Sequence, residues 1–333
     1  MSSLLLEREK TLEKMRSALS QARQGAGRTL LLSGEAGIGK TTLVDHFVQE
    51  QQVGSCRVLW GACDSLFTPR TLGPLVDVAA QLDPSVLRAI GADNATAIFA
   101  AFLADLSASP TLTVILFEDV HWADHATLDL IKFLGRRISR VPALLVLTYR
   151  DDELPVGHPL LAVLGELPGS QVERLPLAPL SRQAVHQLEL GSGRAFAGLF
   201  EKTNGNPFFV TEVLASAGQD VPRNVQDAVM ARLRHLSVSS VLLCERVSVT
   251  PGHVELALVR HGPEGAGMNI DDAIDECVKV GVLQIHGDTV RFRHELARLA
   301  VHEMLLPQRR RKLHADALQA LLNDPGVTRA RLV

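Results

Sequence analysis

The chain has 333 residues, of which 46% are hydrophobic and 21% charged, the profile of a globular protein too long for one typical core. Its apolar runs are strand-sized, and its first residues lack the apolar length and leading positive charge of a secretory signal, which argues against a membrane span and predicts a cytoplasmic address. A net charge of -3 with 4% aromatic residues argues against this segment gripping nucleic acid unaided, and Cys56, Cys63, Cys244 and Cys277 follow no zinc or redox spacing, so they read as buried reduced thiols.

In chain order, a strand is predicted over 29–32 and a helix over 42–50. Between them lies Gly34-Glu35-Ala36-Gly37-Ile38-Gly39-Lys40-Thr41, which meets every requirement of a phosphate-binding P-loop in the required order of strand, loop and helix. Gly34, Gly37 and Gly39 let the backbone curl so that consecutive N–H groups face one anion, with the positive end of the helix dipole behind them. Ala36, Ile38 and Thr42 complete that wrap. Lys40 is placed to reach the β- and γ-phosphates, and the Thr41 hydroxyl to ligate Mg²⁺.

Further strands are predicted over 57–60, 111–117, 143–148 and 171–175, alternating with helices over 73–82, 94–107 and 124–138. That rhythm predicts an α/β core with a parallel sheet covered by helices. The strand over 111–117 runs into Glu118-Asp119, and two adjacent carboxylates at a buried strand end need a cation or donors. In the hydrophobic-strand Walker B pattern, Glu118 falls at the Mg²⁺ position and Asp119 at the one that polarises the attacking water; the roles can be exchanged. The next strand delivers Arg150 to the carboxyl end of the sheet, where it can contact a γ-phosphate or form an ion pair with Asp151 or Asp152. His121, Trp122, Asp124 and His125 crowd the loop after the acidic pair. Beside a magnesium nucleotide site, zinc is the less economical reading of these residues, and Trp122 reads as a loop anchor.

From Leu180 the strand signal stops. Ser181 caps a helix running to about residue 190, Arg194 begins another, and Asn204-Gly205-Asn206-Pro207 breaks it before a third opens at Pro207. Helices follow over 222–236, 238–249 and 270–280, and then Leu283 and Ile285, a turn at Gly287-Asp288, and Val290 and Phe292 alternate as a hairpin. Three helices and a hairpin predict a winged-helix domain. His294 follows the hairpin, either packed structurally or touching a bound nucleotide. A last helix is predicted over 307–322, its Arg309-Arg310-Arg311-Lys312 run a solvated face. The expected organisation is a P-loop NTPase core over 1–178, a helical lid over 179–220, the winged-helix domain over 221–305, and the start of a C-terminal helical region over 306–333.

These residues together resemble the signal-transduction ATPases with numerous domains, and within them the large ATP-binding LuxR-type transcriptional regulators. The likeness is carried by Leu5-Leu6-Glu7-Arg8-Glu9, the P-loop, Gly61-Ala62-Cys63-Asp64 with Leu66 and Pro69, Glu118-Asp119-Val120-His121-Trp122-Ala123-Asp124, Tyr149-Arg150-Asp151, Gly205-Asn206-Pro207-Phe208-Phe209 and Phe292 to Arg298. The resemblance implies a switch that holds ADP at rest and self-associates in the ATP form with an inducer that the sequence does not identify. It implies that Leu6 and Arg8 lie by the adenine, that Pro207 closes over it, and that His294 reaches the β-phosphate. Glu118 departs from the more frequent Asp. The helical repeats and DNA-binding helix-turn-helix of such regulators are absent from this chain, so it reads as truncated or degenerate and DNA contact belongs to the full protein. Rival expectations are a ring-forming AAA-type ATPase or small-molecule kinase in which turnover is the purpose, and a winged-helix DNA-binding protein with an ancillary ATPase. The second rival is weakened by the helix over 270–280, where Asp271, Asp272, Asp275 and Glu276 face only Lys279.

Overall fold

The computed structural model describes residues 5–52, 56–66, 70–92, 94–216, 221–261 and 269–322. Pro69, residues 217–220 at the expected lid boundary and residues 323–333 lie outside them. The chain divides into two compact units, Met1–Ala178 and Pro179–Val333. Among the described residues, no helix is long and apolar enough to cross a membrane.

The first unit runs α1 (Glu9–Arg23), β1 (Arg28–Ser33), α2 (Lys40–Gln52), β2 (Arg57–Ala62), α3 (Gly73–Asp77), α4 (Pro84–Gly91), α5 (Ala95–Ala108), β3 (Thr113–Glu118), α6 (His125–Gly135), β4 (Ala143–Tyr149), α7 (Pro159–Glu166) and β5 (Val172–Pro176). All strand pairings are parallel, in the order β2-β3-β4-β1-β5. Because β1 has β4 on one side and β5 on the other, the chain leaves β1 for the far edge and ends on the opposite one. That reversal opens a crevice beyond the carboxyl end of β1, where α/β sheets bind ligands.

The sequence of each central strand explains its place. Every residue of β4, and all of β3 except Glu118, is buried, the uninterrupted apolar run of a parallel strand covered on both faces. Alternate side chains go to opposite layers. Leu31, Ile115, Phe117, Leu145 and Leu147 pack with Phe102 and Leu106 of α5 and Ile131 of α6, whereas Leu30, Leu32, Val114, Leu116 and Val146 pack with Met15 of α1 and Phe47 of α2. Phe47 is completely buried, and removing such a ring from water contributes about 1.5–3 kcal/mol.

The expected strands are all present. The expected helices over 73–82 and 124–138 are shorter: α3 and α6 each give way to a 3₁₀ turn, at Ala79–Gln81 and Ile138–Arg140 respectively. The strand-led reading has no counterpart for α1, α4 or α7. The signal for α1 was present, since Leu12, Met15, Leu19 and Ala22 form one buried stripe. In contrast, α4 and α7 have only 8 residues each, starting at Pro84 and Pro159, and their type is set by a proline at the first helical position and a cap.

The second unit runs α8 (Arg182–Ser192), α9 (Leu199–Thr203), α10 (Pro207–Ala215), α11 (Arg223–Leu233), α12 (Val238–Ser248), β6 (Val254–Glu255), α13 (Leu256–His261), α14 (Ile270–Lys279), β7 (Leu283–His286), β8 (Thr289–Phe292), α15 (Glu295–Met304) and α16 (Pro307–Leu322). The Ser181 side chain caps α8 and that of Asn206 caps α10, which starts at Pro207. The helix expected from Arg194 instead starts at Leu199. Gly198 precedes it at φ +70°, and the Arg194 guanidinium is turned onto the carbonyls of Leu214 and Ser216 at 3.0 and 2.5 Å. Gly205, at φ +74°, is obligatory, since a Cβ there would lie 2.1 Å from the Leu180 oxygen.

The hairpin forms as predicted and gains a third antiparallel strand, β6, in the order β6-β8-β7. Neither β6, with 2 residues, nor α13, with 6, is long enough to show a period. Ile270, Ala273, Ile274 and Cys277 form the buried face of α14 and Asp271, Asp272 and Asp275 its exposed one. Cys244 and Cys277 are buried with their sulfurs 3.6 Å apart, and Cys56 is only half-buried.

Candidate nucleotide site

The carboxyl ends of β1, β3 and β4 deliver the functional side chains of the first unit to one crevice. After Ser33, the loop turns at Gly34, Gly37 and Gly39 with φ of +148°, +80° and +95°, conformations that a Cβ disfavours. A Cβ at Gly34 would press to 3.0 Å on Ile38, while one at Gly39 would meet nothing within 4 Å. The Lys40 ammonium is folded back over this loop and donates to the carbonyl oxygens of Gly34 at 2.6 Å and Glu35 at 3.1 Å. An ammonium has three donors, so one remains for an anion in the loop. Burial pulls its pKa down, Asp119 opposes that shift and Arg150 adds to it. Lys40 and Arg150 thus feel one another as like charges, an arrangement that a polyphosphate would relieve.

Glu118 and Thr41 meet directly. The Thr41 hydroxyl donates to Glu118 Oε1 at 2.7 Å, and the indole N–H of Trp60 to Oε2 at 2.8 Å. A hydroxyl and a carboxylate oxygen this close can share one hard cation. Mg²⁺ is usually held by one or two protein oxygens plus phosphate and water, so these residues fit the ion.

Asp119 is held in the left-handed region at φ +51°, its N–H donating to the Thr148 hydroxyl of β4 at 3.0 Å. A strained non-glycine residue at a carboxylate position is the kind of outlier that marks a working site. Its carboxylate lies 3.9 Å from both Arg150 Nε and His121 Nδ1. Arg150 lies over the Trp122 ring at 4.6 Å and donates from Nη1 to Glu153 Oε1 at 2.6 Å. The other Glu153 oxygen is 3.3 Å from His121 Nε2. Burial resists ionisation of Glu153, but His121 and Arg150 outweigh it and hold its pKa at about 2. The short ion pair of Arg150 is with Glu153, because the 3₁₀ turn Asp151–Glu153 brings the third of these acids back under the guanidinium.

Arg8 is almost fully buried and donates to the carbonyls of Ile38 at 3.3 Å and Ala178 at 2.9 Å. It braces the loop from behind, beside the half-buried Leu6. Thr42 follows Thr41 in the first turn of α2, exposed. Asp124 caps α6, accepting from the N–H groups of Ala126 at 3.0 Å and Thr127 at 3.3 Å, and His125 is exposed. Burial pushes the Cys63 thiol up to about 12. Among the described residues, no group of three or more His, Cys, Asp and Glu could hold a metal ion.

Pro207 and His294 belong to the second unit. Pro207 is half-buried at the start of α10. His294 is buried at 2% exposure, its Nδ1 3.3 Å from the Thr203 oxygen and its ring edge-on to Phe209 at 4.8 Å. Asn204 donates to the Arg293 carbonyl at 2.5 Å beside it.

A glycine-turned loop with a lysine at its end lies beside a threonine paired with a strand-end carboxylate. Residues 4–147 match the family model of the AAA ATPase domain. A curated relative, an uncharacterized protein of Rhizobium meliloti (strain 1021), is 24% identical over 399 residues. The match takes in 98% of this chain and 38% of that protein, so the chain spans well under half the length of the curated relative it matches. The Walker-type ATPase of Pyrococcus abyssi is similar in fold, with a TM-score of 0.60 at 12% identity over 89% of this chain and 96% of that one. A signal-transduction ATPase with a tetratricopeptide repeat sensor from Pyrococcus horikoshii aligns with a TM-score of 0.41 at 18% identity, over 93% of this chain and 45% of that one. The parallel five-stranded sheet resembles that of P-loop NTPases, and the AAA ATPase match contains Gly34 to Thr41 and Glu118-Asp119 but ends before Arg150.

The residues that the sequence singled out in the first unit, Gly34 to Thr41, Glu118, Asp119 and Arg150, lie at the carboxyl ends of β1, β3 and β4. Sequence reading missed Trp60, Thr148, Glu153 and the bracing role of Arg8. Only Glu153 carried a signal, an acid three residues after an arginine at a strand end.

Proposed function

We propose that this chain is an ATP- and ADP-binding regulatory module with slow hydrolysis, the nucleotide switch of a LuxR-type transcriptional regulator. The observation that carries the reading is the convergence of Lys40, Thr41, Glu118, Asp119 and Arg150 on one crevice. In this reading the loop amides and Lys40 bind the β- and γ-phosphates, and Thr41 and Glu118 hold Mg²⁺. The ion supplies charge neutralisation across the phosphate oxygens. Asp119, aimed by its left-handed backbone and the Thr148 hydroxyl, orients the attacking water and accepts its proton. Arg150 contacts the γ-phosphate only after leaving Glu153. Its half-buried ion pair thus sets a threshold that ATP must exceed and ADP does not.

A switch works because the γ-phosphate binds one conformation better than another, and about 1.4 kcal/mol of difference changes the ratio tenfold. We read α11, α12, α14 and the β7–β8 hairpin as a winged-helix unit. The exposed acids of α14 argue against its entering a DNA groove, so DNA contact is assigned to a further domain of the whole protein. Self-association in the ATP form and an inducer complete the proposal. Mass spectrometry of the purified protein tests it: bound ADP supports a switch, whereas an empty protein with rapid turnover would favour an enzyme whose purpose is hydrolysis.

A further inference from the structure

The second unit contains a cavity of about 230 Å³ bounded by α12, β6, α13 and α16. Along α16, Leu313, Ala317 and Leu321 recur every four residues on one face. A helix with such a stripe normally buries it, yet Leu313 is the one fully buried residue among the described residues of α16. The stripe faces Val247 of α12 and Leu258 of α13 across open space. Protein interiors are packed to crystal density, and apolar cavities of about 150 Å³ already admit benzene.

The wall also carries polar side chains, among them Arg246, Thr250 and Asp316. Asp316, next to Ala317, has its Oδ2 buried with no hydrogen-bond partner among the described residues. A carboxylate oxygen in that state is costly unless something donates to it. Arg246 lines the same cavity and donates from Nη2 to the Val259 oxygen at 2.9 Å.

We propose that this cavity is an effector site for a small apolar ring on a short arm that ends in a hydrogen-bond donor, an amine or an alcohol. The ring fills the space between α12, α13 and α16, and the donor satisfies Asp316. The cavity lies wholly within the second unit and does not depend on the nucleotide reading.

Saturation-transfer NMR on the full chain, with benzylamine, benzyl alcohol and toluene as probes, tests the proposal. Benzylamine and benzyl alcohol are expected to bind, and toluene, which lacks a donor, at least about fivefold more weakly. Ala317→Phe, which fills the space, removes the signal of all three, and Asp316→Ala lowers benzylamine to the toluene level. Ala320→Leu serves as a second filling variant, with folding of each read from its melting curve. Absence of transfer to every probe in the wild type, signals that survive a folded filling variant, or benzylamine binding indifferent to Asp316→Ala would each overturn the assignment.

Discussion

Replacing Glu153 by Gln keeps the shape of the side chain and removes its charge, so it isolates the tether on Arg150. Glu153 is held at about 2 against an ordinary 4.5, and at about 1.4 kcal/mol per unit that difference is about 3 kcal/mol in favour of the ionised, folded form. The sign follows from a depressed pKa. The stabilisation is complete above 4.5 and is lost as pH falls through about 2. Urea unfolding is expected to show the variant about 3 kcal/mol less stable at pH 7, with the gap closing as the pH is lowered from 4.5 toward 2. The same change frees the guanidinium, so affinity for ATP rises while that for ADP does not; a charge-assisted hydrogen bond contributes about 1.5–3 kcal/mol, on the order of tenfold or more. A variant as stable as the wild type at pH 7, or a gap independent of pH, would refute the network. Equal gains for ATP and ADP would refute the role of Arg150 as the reader of the third phosphate.

Lys40→Ala is expected to abolish nucleotide binding by isothermal calorimetry; an unchanged affinity would remove the P-loop from the account. Asp119→Asn is expected to bind ATP normally and to lower turnover by at least about a hundredfold in a phosphate-release assay, the scale of a lost general base. Phe47→Ala leaves a cavity behind α2 and is expected to cost about 3–5 kcal/mol in chemical denaturation; a loss under 1 kcal/mol would mean that the helix does not seat there.

The acids and the arginine were readable as candidates, but their partners were not. Glu118 stands out as a carboxylate at the end of a buried strand, whereas the indole that orients it comes from β2, 58 residues earlier in the chain. No spacing rule links the two, because β2 and β3 become neighbours only through the sheet order. Arg8 stood out only through the resemblance, which puts it by the adenine, and its contact with the Ala178 carbonyl spans 170 residues. The ion pair of Arg150 with Glu153, an acid the sequence reading did not single out, has a local reason. A 3₁₀ turn returns on itself after three residues, so the third acid faces the guanidinium.

What the chain settled alone is what lies within one turn or one strand: the glycine-rich loop, the buried strands, and the cap at Ser181. Each depends on hydrogen bonds between near neighbours or on a run of apolar side chains, and both are written locally. The order of the strands, the two-residue β6, the bracing of the loop by Arg8 and the open space beside α16 were decided only on folding, since each depends on which distant surfaces come to share an interior.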